Sequence, residues 1–427
     1  MKHWSRYNIF FEREGKQFLY CPLSNSFAKL SGESYAYLKE RFEKDLPMED
    51  EDLSETLRSM KSIDTDDELE IMKIRHLDDI RKFSRRTMSL TINPTLACNF
   101  RCGYCFEKEH QNIFMTQEIE DRIVEHVRKS DEARKVFVTW FGGEPLLGFK
   151  TIRRLTAKLL TLDKEYEAGM ITNGYLLTKE VAAQLSDLKI RSIQITLDGR
   201  KDIHDSRRYL AGGGPTFDRI VENIRNCQKI APEVRISIRV NIDNTNKNDF
   251  VNIRKELMDM NLPNIDIHPA IVQADTNDSA CSVCDREQVI SLLLDLYKTH
   301  GLKYIDLFPT SRWGSCVAKN IASIVIGPEG EIYDCWNDVG DKERVIGTLG
   351  QKPSNIRLHL EYLSGKSQFD DPDCIECRLL PVCSGGCQNK RLNTKNKEEN
   401  CMLGKNRIED FLYMHYLSKQ KNIIINP

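Results

Sequence analysis

The sequence predicts an α/β protein whose centre is a partial (β/α)6 TIM-like barrel, with a small N-terminal α+β domain and a C-terminal cysteine-rich domain. Three observations support this prediction. Short β-branched segments alternate with amphipathic segments in the middle of the chain, the first 85 residues have a different pattern, and seven of the fourteen cysteines lie after residue 315. We place the domains at residues 1–85, 86–305 and 306–427.

The central part contains six strand–helix units. The predicted strands lie in MSLTINPT, KVFVTWFG, AGMITNG, RSIQITLDG, RISIRVNID and NIDIHPAI, and an amphipathic helical stretch follows each of them. Strands that alternate with helices pair in parallel through right-handed crossovers. Six units are too few for a closed eight-fold barrel, so we expect an open or partial barrel with its active site at the carboxyl ends of the strands.

The composition excludes several function classes. The chain has 427 residues, of which 40% are hydrophobic and 30% charged, and its formal net charge is -2. Without a polybasic arm, this charge argues against nucleic acid or an anionic membrane as a partner. No apolar run approaches the ~20 residues of a spanning helix, and the N-terminus has no signal-peptide core. We therefore expect a cytoplasmic protein that binds neither nucleic acid nor membrane.

Three cysteines lie close together in LACNFRCGYCFE, directly after the first predicted strand. They are Cys98, Cys102 and Cys105. In a reducing compartment, clustered cysteines indicate metal ligands or redox groups. A closed zinc site uses four ligands, whereas a four-iron cluster held by three thiolates leaves one iron free to bind something else. A redox dithiol and a fortuitous cluster are the alternatives.

Short polar motifs lie at the carboxyl ends of the next strands. FGGEP ends the second strand, TNG the third and LDG the fourth, and HDSRR follows. Two glycines allow close approach of the backbone to a ligand, and a carboxylate can accept from an ammonium group. Taken singly, TNG is usually a turn and the aspartate of LDG could cap a helix. Four motifs in order, at three successive strand ends or directly after them, indicate one site.

The cysteine spacing Cys-x3-Cys-x2-Cys, together with these motifs, resembles the signature of the radical S-adenosylmethionine (radical SAM) enzymes. The resemblance implies a [4Fe-4S] cluster whose free iron binds the methionyl group of S-adenosylmethionine, reductive release of a 5′-deoxyadenosyl radical, and a small electron donor of the flavodoxin or ferredoxin type. It also implies the residues that contact the cofactor. Tyr104 lies near the adenine, Gly142, Gly143 and Glu144 contact the methionyl amine, and Arg208 contacts the methionyl carboxylate. Asn173 and Asp198 supply polar contacts at the other strand ends.

The cysteines of the last part of the chain resemble the seven-cysteine SPASM domain, which carries two auxiliary [4Fe-4S] clusters. The resemblance implies that Cys374, Cys377, Cys383 and Cys401 hold one cluster and that Cys316, Cys335 and Cys387 hold the other. The whole chain would then carry three [4Fe-4S] clusters. A zinc ribbon is the alternative, but seven ligands do not make two closed zinc sites. SIVIGPEGEIYDCW predicts a short hairpin turned at GPEG.

Seven ligands are one fewer than two complete clusters need. Three alternatives remain for the cluster of Cys316, Cys335 and Cys387. It has an open iron, or another residue completes it, for which Cys281 and Cys284 are candidates. In the third alternative, Cys281 and Cys284 form an unligated pair. The remaining cysteines, Cys21 and Cys227, stand alone and are expected to be buried small hydrophobic residues.

Residues 1–85 predict two or three short strands around EREGK, then the helix ESYAYLKERFEKDL and one or two further helices in a highly charged stretch. This order resembles the PqqD-like element of peptide-modifying enzymes, which implies capture of a precursor peptide through its leader as an added edge strand. A family-neutral N-terminal extension is the alternative.

The resemblance implies a peptide maturase that removes a hydrogen from a ribosomally made precursor and installs an intramolecular cross-link. A thioether is favoured, a carbon–carbon or ether bond comes next, and epimerisation is a further outcome. Formylglycine formation is disfavoured because Trp336 occupies the position after Cys335 where sulfatase maturases carry an aspartate, although Asp334 lies on the other side. An iron–sulfur electron carrier is the non-enzymatic alternative, but a carrier has no need of the strand-end motifs. No catalytic base is identified.

Overall fold

The computed structural model describes residues 3–105, 110–272, 282–302, 316–394 and 397–421. These residues form two compact units. Among them, no helix is both long enough and apolar enough to cross a membrane.

The first unit, here called the terminal unit, consists of Met1–Phe83, Arg286–Lys319 and Glu361–Pro427. The second, the barrel unit, consists of Ser84–Asp285 and Asn320–Leu360. The three-domain division made from the sequence remains a prediction.

The terminal unit contains one small sheet and most of the short helices. Its strands and helices are β1 (Ile9–Arg13), β2 (Lys16–Cys21), β3 (Ser26–Leu30), α1 (Gly32–Glu43), α2 (Glu51–Ser59), α3 (Asp67–Lys82), α10 (Arg286–His300), α12 (Pro372–Ile375), α13 (Gln388–Asn393) and α14 (Ile408–Lys421). The strands are antiparallel in the order β1-β2-β3. Three strands followed by helices is the order that the sequence predicts for this region.

Both faces of this small sheet are covered. Phe11 and Phe18 pack with Leu412 of α14 on one face. On the other face, Leu19 and Cys21 pack with the first helices. Cys21 is fully buried, as predicted.

The barrel unit is built on one nine-stranded sheet. Its elements are β4 (Thr87–Ile92), α4 (Gln117–Arg128), β5 (Lys135–Trp140), α5 (Phe149–Leu159), β6 (Glu165–Thr172), α6 (Lys179–Ala182), β7 (Ile190–Thr196), α7 (Lys201–Arg207), α8 (Phe217–Ile230), β8 (Arg235–Ile242), α9 (Phe250–Met258), β9 (Ile265–Ile271), β10 (Ser323–Ile326), β11 (Glu331–Tyr333), β12 (Gly347–Thr348) and α11 (Ile356–Leu360). The strand order is β12-β11-β10-β4-β5-β6-β7-β8-β9.

Strands β4 to β9 are the six predicted strands, and they pair in parallel in chain order. Ile92 is opposite Trp140, which in turn is opposite Met170, so three neighbouring strands end side by side. The apolar residues of these strands are buried on the sheet, and the amphipathic helices cover it; Cys227 of α8 is fully buried, as predicted. The predicted parallel α/β sheet is therefore confirmed.

Three elements add detail to the prediction. β10 continues the sheet by pairing in parallel with β4, and the predicted GPEG hairpin adds β11 to it in antiparallel orientation. The third helix is short, because the chain after Ala182 continues in turns that still bury Leu185 and Leu188. The sixth predicted helix forms as α10 but belongs to the terminal unit.

Candidate functional site

The cysteine loop follows β4 and lies against the backbone at the end of β5. The Gly143 N–H donates to the Thr95 carbonyl at 3.3 Å, and the Glu144 N–H donates to the Ala97 carbonyl at 2.9 Å. A Cβ at Gly143 would lie 2.4 Å from the Ala97 carbonyl oxygen, and one at Gly142, whose φ is +114°, would lie 2.5 Å from the Thr95 oxygen. Both glycines are therefore required by the approach of the cysteine loop itself.

Glu144 connects the ends of β5 and β6. Its carboxylate is fully buried and accepts from the Thr172 hydroxyl at 2.6 Å, the Asn173 N–H at 2.8 Å and the Leu146 N–H at 3.0 Å. Burial raises the pKa of Glu144, while these hydrogen bonds oppose the rise. The sequence suggested that this carboxylate accepts from a ligand ammonium; in the structure its oxygens are used within the protein.

Asn173 ties the end of β6 to the cysteine loop. Its side-chain amide donates to the Asn99 side-chain oxygen at 2.8 Å, and its own oxygen accepts from the Tyr175 N–H at 3.0 Å. The Asn99 carbonyl in turn accepts from the Ala211 N–H at 2.8 Å. Asn99 was not identified from the sequence; its position next to Cys98 is the one local signal that could have indicated it.

Asp198, at the end of β7, belongs to a buried ion-pair network. The Arg207 guanidinium donates to Asp198 at 3.0 Å and to Asp243, at the end of β8, at 2.8 Å. Both carboxylates are fully buried and Arg207 is 13% exposed. Asp243 also accepts from Thr245. Arg207 and Asp243 were not identified from the sequence, because nothing in the local pattern links two positions on neighbouring strand ends.

Arg208 and Tyr104 meet beside this network. The Arg208 guanidinium donates to the Tyr104 hydroxyl at 2.7 Å, and Asn241 donates to the same hydroxyl at 3.1 Å. Arg208 Nε is buried and donates no hydrogen bond among the described residues. The Asp198 carboxylate interacts with the Tyr104 hydroxyl as well as with Arg207. Burial strongly raises the pKa of Tyr104, while Arg208 opposes the rise. The site therefore offers one cationic donor and one anionic acceptor to a ligand.

His204 holds this region in place. Its Nδ1 accepts from the Asp198 N–H at 3.2 Å, and its Nε2 lies 3.0 Å from the Thr216 hydroxyl, which donates to the Arg208 carbonyl. Burial and the neighbouring arginines lower the pKa of His204 well below its usual value. His204 is therefore neutral. Its two ring nitrogens connect the Asp198 backbone to Thr216, which in turn bonds to the Arg208 carbonyl.

The thiols of the cysteine loop are buried enough to affect their ionisation. Burial raises the pKa of Cys98 to about 12, and it also raises that of Cys102, where the Arg208 guanidinium acts in the opposite direction. Throughout the described ranges, no three His, Cys, Asp or Glu side chains converge on a single ion position.

Four of the C-terminal cysteines share one cavity of about 450 Å³ in the terminal unit. They are Cys374, Cys377, Cys383 and Cys401, the set expected to hold one auxiliary cluster. Arg391 and Lys405 also line this cavity. Its volume lies in the range of about 300–1,000 Å³ typical of cofactor sites.

The other predicted set is divided between the units. Cys316 and Cys387 belong to the terminal unit, where they are exposed and near enough to interact electrostatically, and Cys335 belongs to the barrel unit. Cys281 lies outside the described residues. Cys284 is buried in the barrel unit, and its thiol lies 3.4 Å from the Asn244 side-chain oxygen. The identity of an eighth ligand remains a prediction with its three alternatives.

Two residues beside Cys335 lie in distinct environments. Trp336 is 41% exposed, and its ring lies 5.9 Å from that of Phe141, the residue before Gly142. Asp334 is buried and lies 2.9 Å from His359 Nδ1. Burial raises the pKa of Asp334, and the carboxylate raises the pKa of His359.

Comparison with known proteins agrees with this site. A profile of the radical SAM superfamily matches residues 92–257, which include the cysteine loop and all four strand-end motifs. A GTP 3',8-cyclase of Clostridium perfringens (strain SM101) is 30% identical over 274 residues, which cover 60% of this chain and 82% of that protein. A cysteine-type anaerobic sulfatase-maturating enzyme of Clostridium novyi is 25% identical over 361 residues, covering 75% and 91%.

Two solved structures share the fold. Native anSMEcpe with bound AdoMet and the Cp18Cys peptide aligns with a TM-score of 0.63 at 19% identity, over 79% of this chain and 99% of that one. Streptococcus suis SuiB bound to precursor peptide SuiA aligns with a TM-score of 0.54 at 14% identity, over 93% and 98%. The chain therefore belongs to the radical SAM superfamily of enzymes, as its cysteine triplet predicted.

Gly143→Ala tests the approach of the cysteine loop to the end of β5. The new Cβ would overlap the Ala97 carbonyl, so we expect a loss of stability of about 1–3 kcal/mol, typical of overpacking. Thermal unfolding and iron content after anaerobic reconstitution measure the effect, and we expect a lower Tm and reduced iron. Gly212→Ala is the matched control, because no atom lies within 4 Å of its Cβ position. Equal behaviour of the two variants would contradict the requirement.

Proposed function

We propose that this enzyme is a radical SAM peptide maturase that installs an intramolecular cross-link in a ribosomally made precursor. The observation that carries the proposal is the position of the three-cysteine loop, which the ends of β5 and β6 hold beside the Asp198 carboxylate and the Arg208 guanidinium. A redox dithiol has no use for a cationic donor and an anionic acceptor next to its sulfurs.

The residues of the barrel unit fit S-adenosylmethionine and a cluster. Cys98, Cys102 and Cys105 would hold the cluster, the Arg208 guanidinium suits a carboxylate, and the Asp198 carboxylate suits a hydroxyl group. When bound there, a [4Fe-4S] cluster with one open iron supplies the electron that releases a 5′-deoxyadenosyl radical from the cofactor. Because the Glu144 carboxylate is already used, we assign the contact of FGGEP with the methionyl amine to its backbone.

The cysteine cavity of the terminal unit fits a second cluster. Four thiols, the number that a closed [4Fe-4S] cluster uses, line one cavity together with two cationic side chains. Cys316, Cys335 and Cys387 would hold a third cluster. An open iron in this third set would favour a thioether product, because it would offer a site for a substrate thiolate.

Similarity to maturases supports a peptide substrate. The relative from Clostridium novyi is named as a sulfatase-maturating enzyme, and SuiB was solved with a precursor peptide. We further propose that residues 1–85 bind the leader of the precursor. β3 is an end strand of the small sheet and can accept an added strand, the usual mode of peptide capture at a sheet edge.

Helix α3 adds an apolar surface to this region. It buries the polar side chains of Glu70, Asp78 and Lys82. Ile71 and Ile74 pack against the core. The other apolar side chains of α3 are exposed, namely Leu69 (45%), Met72 (66%), Leu77 (50%) and Ile80 (53%), with Phe83 (48%) directly after the helix. A contiguous exposed apolar surface marks an interaction site, and we assign the leader peptide to it.

A second candidate function rests on the Asp334–His359 pair. This buried carboxylate next to Cys335 has one oxygen without a hydrogen-bond partner among the described residues, and a buried carboxylate is suited to accept a proton. Two relatives are named as anaerobic sulfatase-maturating enzymes. Formylglycine formation on a sulfatase-type peptide is therefore the alternative to cross-linking.

The product mass decides between these reactions. We expect the precursor to be a short cysteine- or aromatic-containing peptide encoded beside this chain. After turnover with S-adenosylmethionine and a reductant, we expect a product lighter by two hydrogen atoms in which one cysteine no longer reacts with an alkylating agent, as a thioether requires. The same mass loss with every cysteine still reactive would indicate a carbon–carbon or ether bond. An unchanged mass would indicate epimerisation. A product that reacts with an aldehyde reagent would indicate formylglycine.

Met72→Glu tests the leader-binding surface. A charge placed in an apolar contact opposes burial, so we expect affinity for the full-length precursor to fall about tenfold or more, equivalent to ~1.4 kcal/mol. Turnover of a leaderless core peptide should not change. Met258→Glu is the control, since Met258 is 46% exposed on the barrel unit. Equal precursor affinity in the two variants, measured by fluorescence anisotropy, would remove the assignment of the leader to helix α3.

A further inference from the structure

Arg391 lies against the sulfur of one cavity cysteine. Its Nη2 is 3.4 Å and its Nη1 3.8 Å from Cys374 Sγ. The residue is buried, with 9% of its surface exposed. Both terminal nitrogens of this buried guanidinium are directed at the thiol. A role in stability alone does not account for that direction.

The rest of the Arg391 side chain is fixed. Its Nε donates to the Lys366 carbonyl at 3.0 Å, and Nη2 lies 3.5 Å from the carboxylate of Asp371. The Lys366 ammonium donates back to the Arg391 carbonyl at 3.2 Å. These contacts determine the direction of the guanidinium, so that its outer edge meets Cys374.

A second cation faces the same cavity. Lys405 Nζ is 3.8 Å from Cys401 Sγ. Lys319, nearby in the same unit, interacts electrostatically with Cys383 and donates to the Ser384 carbonyl at 2.9 Å. Lys405 also interacts electrostatically with Cys377, so each of the four cavity cysteines has a positively charged neighbour.

Positive charge beside cluster sulfurs has a defined consequence. Hydrogen bonds to the sulfurs and the net charge around a cluster are among the factors that set its reduction potential. Reduction adds a negative charge, which a charge-assisted donor stabilises more than it stabilises the oxidised state. Burial strengthens the effect, because a buried charge is screened less by salt and water.

We propose that Arg391 is a positioning residue that raises the reduction potential of the cluster held by Cys374, Cys377, Cys383 and Cys401. The proposal rests on the proposed function, since it requires a cluster in this cavity. It adds that this cluster is adjusted to be reduced more readily than a [4Fe-4S] cluster without cationic neighbours. A cluster with that property is suited to accept electrons in an oxidative cross-linking reaction.

The test is a redox titration monitored by electron paramagnetic resonance. Full-length protein carrying C98A, C102A and C105A is reconstituted anaerobically, so that the signals come from the C-terminal cysteines. In this background, R391M should shift the midpoint of one cluster to a more negative potential, and R391K should shift it less, because lysine keeps the charge without the two-nitrogen contact. R378M is the control, since Arg378 is exposed and next to Cys377.

The outcomes separate the inference from the function on which it rests. An R391M protein with full iron content and an unchanged midpoint would overturn the role of Arg391. Loss of about four irons from both R391M and R391K would also overturn it, because the arginine would then be needed to retain the cluster. If instead C374A with C377A keeps all of its iron, the cluster assignment itself is wrong, whatever Arg391 does.

Discussion

The contact between the cysteine loop and the end of β5 is the constraint on which the rest of the site depends. Residues 95–97 lie so close to Gly142 and Gly143 that neither position has room for a Cβ atom. Two backbone hydrogen bonds join the segments there, and the buried Glu144 carboxylate extends the connection to β6. The loop that carries the three cysteines is thus held by the sheet and is not an independent surface element.

The other half of the site depends on charge. Asp198 and Asp243 are fully buried carboxylates, and both are paired with Arg207. A buried charge without its partner is strongly unfavourable, so the arginine of this network fixes the ends of β7 and β8. Arg208 is then left to donate to Tyr104, which belongs to the cysteine loop. Backbone packing places the sulfurs, and an ion-pair network places the groups that meet a ligand.

The sequence predicted the parts of this arrangement that have a local pattern. The six parallel strands follow from β-branched runs, and the site position follows from motifs at their ends. The sequence did not predict that β10 pairs with β4, because that pairing joins residues more than two hundred positions apart. It also missed Asn99, Arg207 and His204, whose roles depend on partners on other elements. Glu144 was identified, but its hydrogen bonds to neighbouring strand ends could only be seen in three dimensions.

The most direct test of the account is the formation of 5′-deoxyadenosine. Anaerobically reconstituted protein, reduced with dithionite and supplied with S-adenosylmethionine, is compared by liquid chromatography with a variant in which Cys98, Cys102 and Cys105 are all Ala. The account predicts about twelve irons and 5′-deoxyadenosine for the parent, and about eight irons and none of this product for the variant, since each [4Fe-4S] cluster contributes four irons. If the variant still releases 5′-deoxyadenosine, the cysteine loop is not where the radical is made.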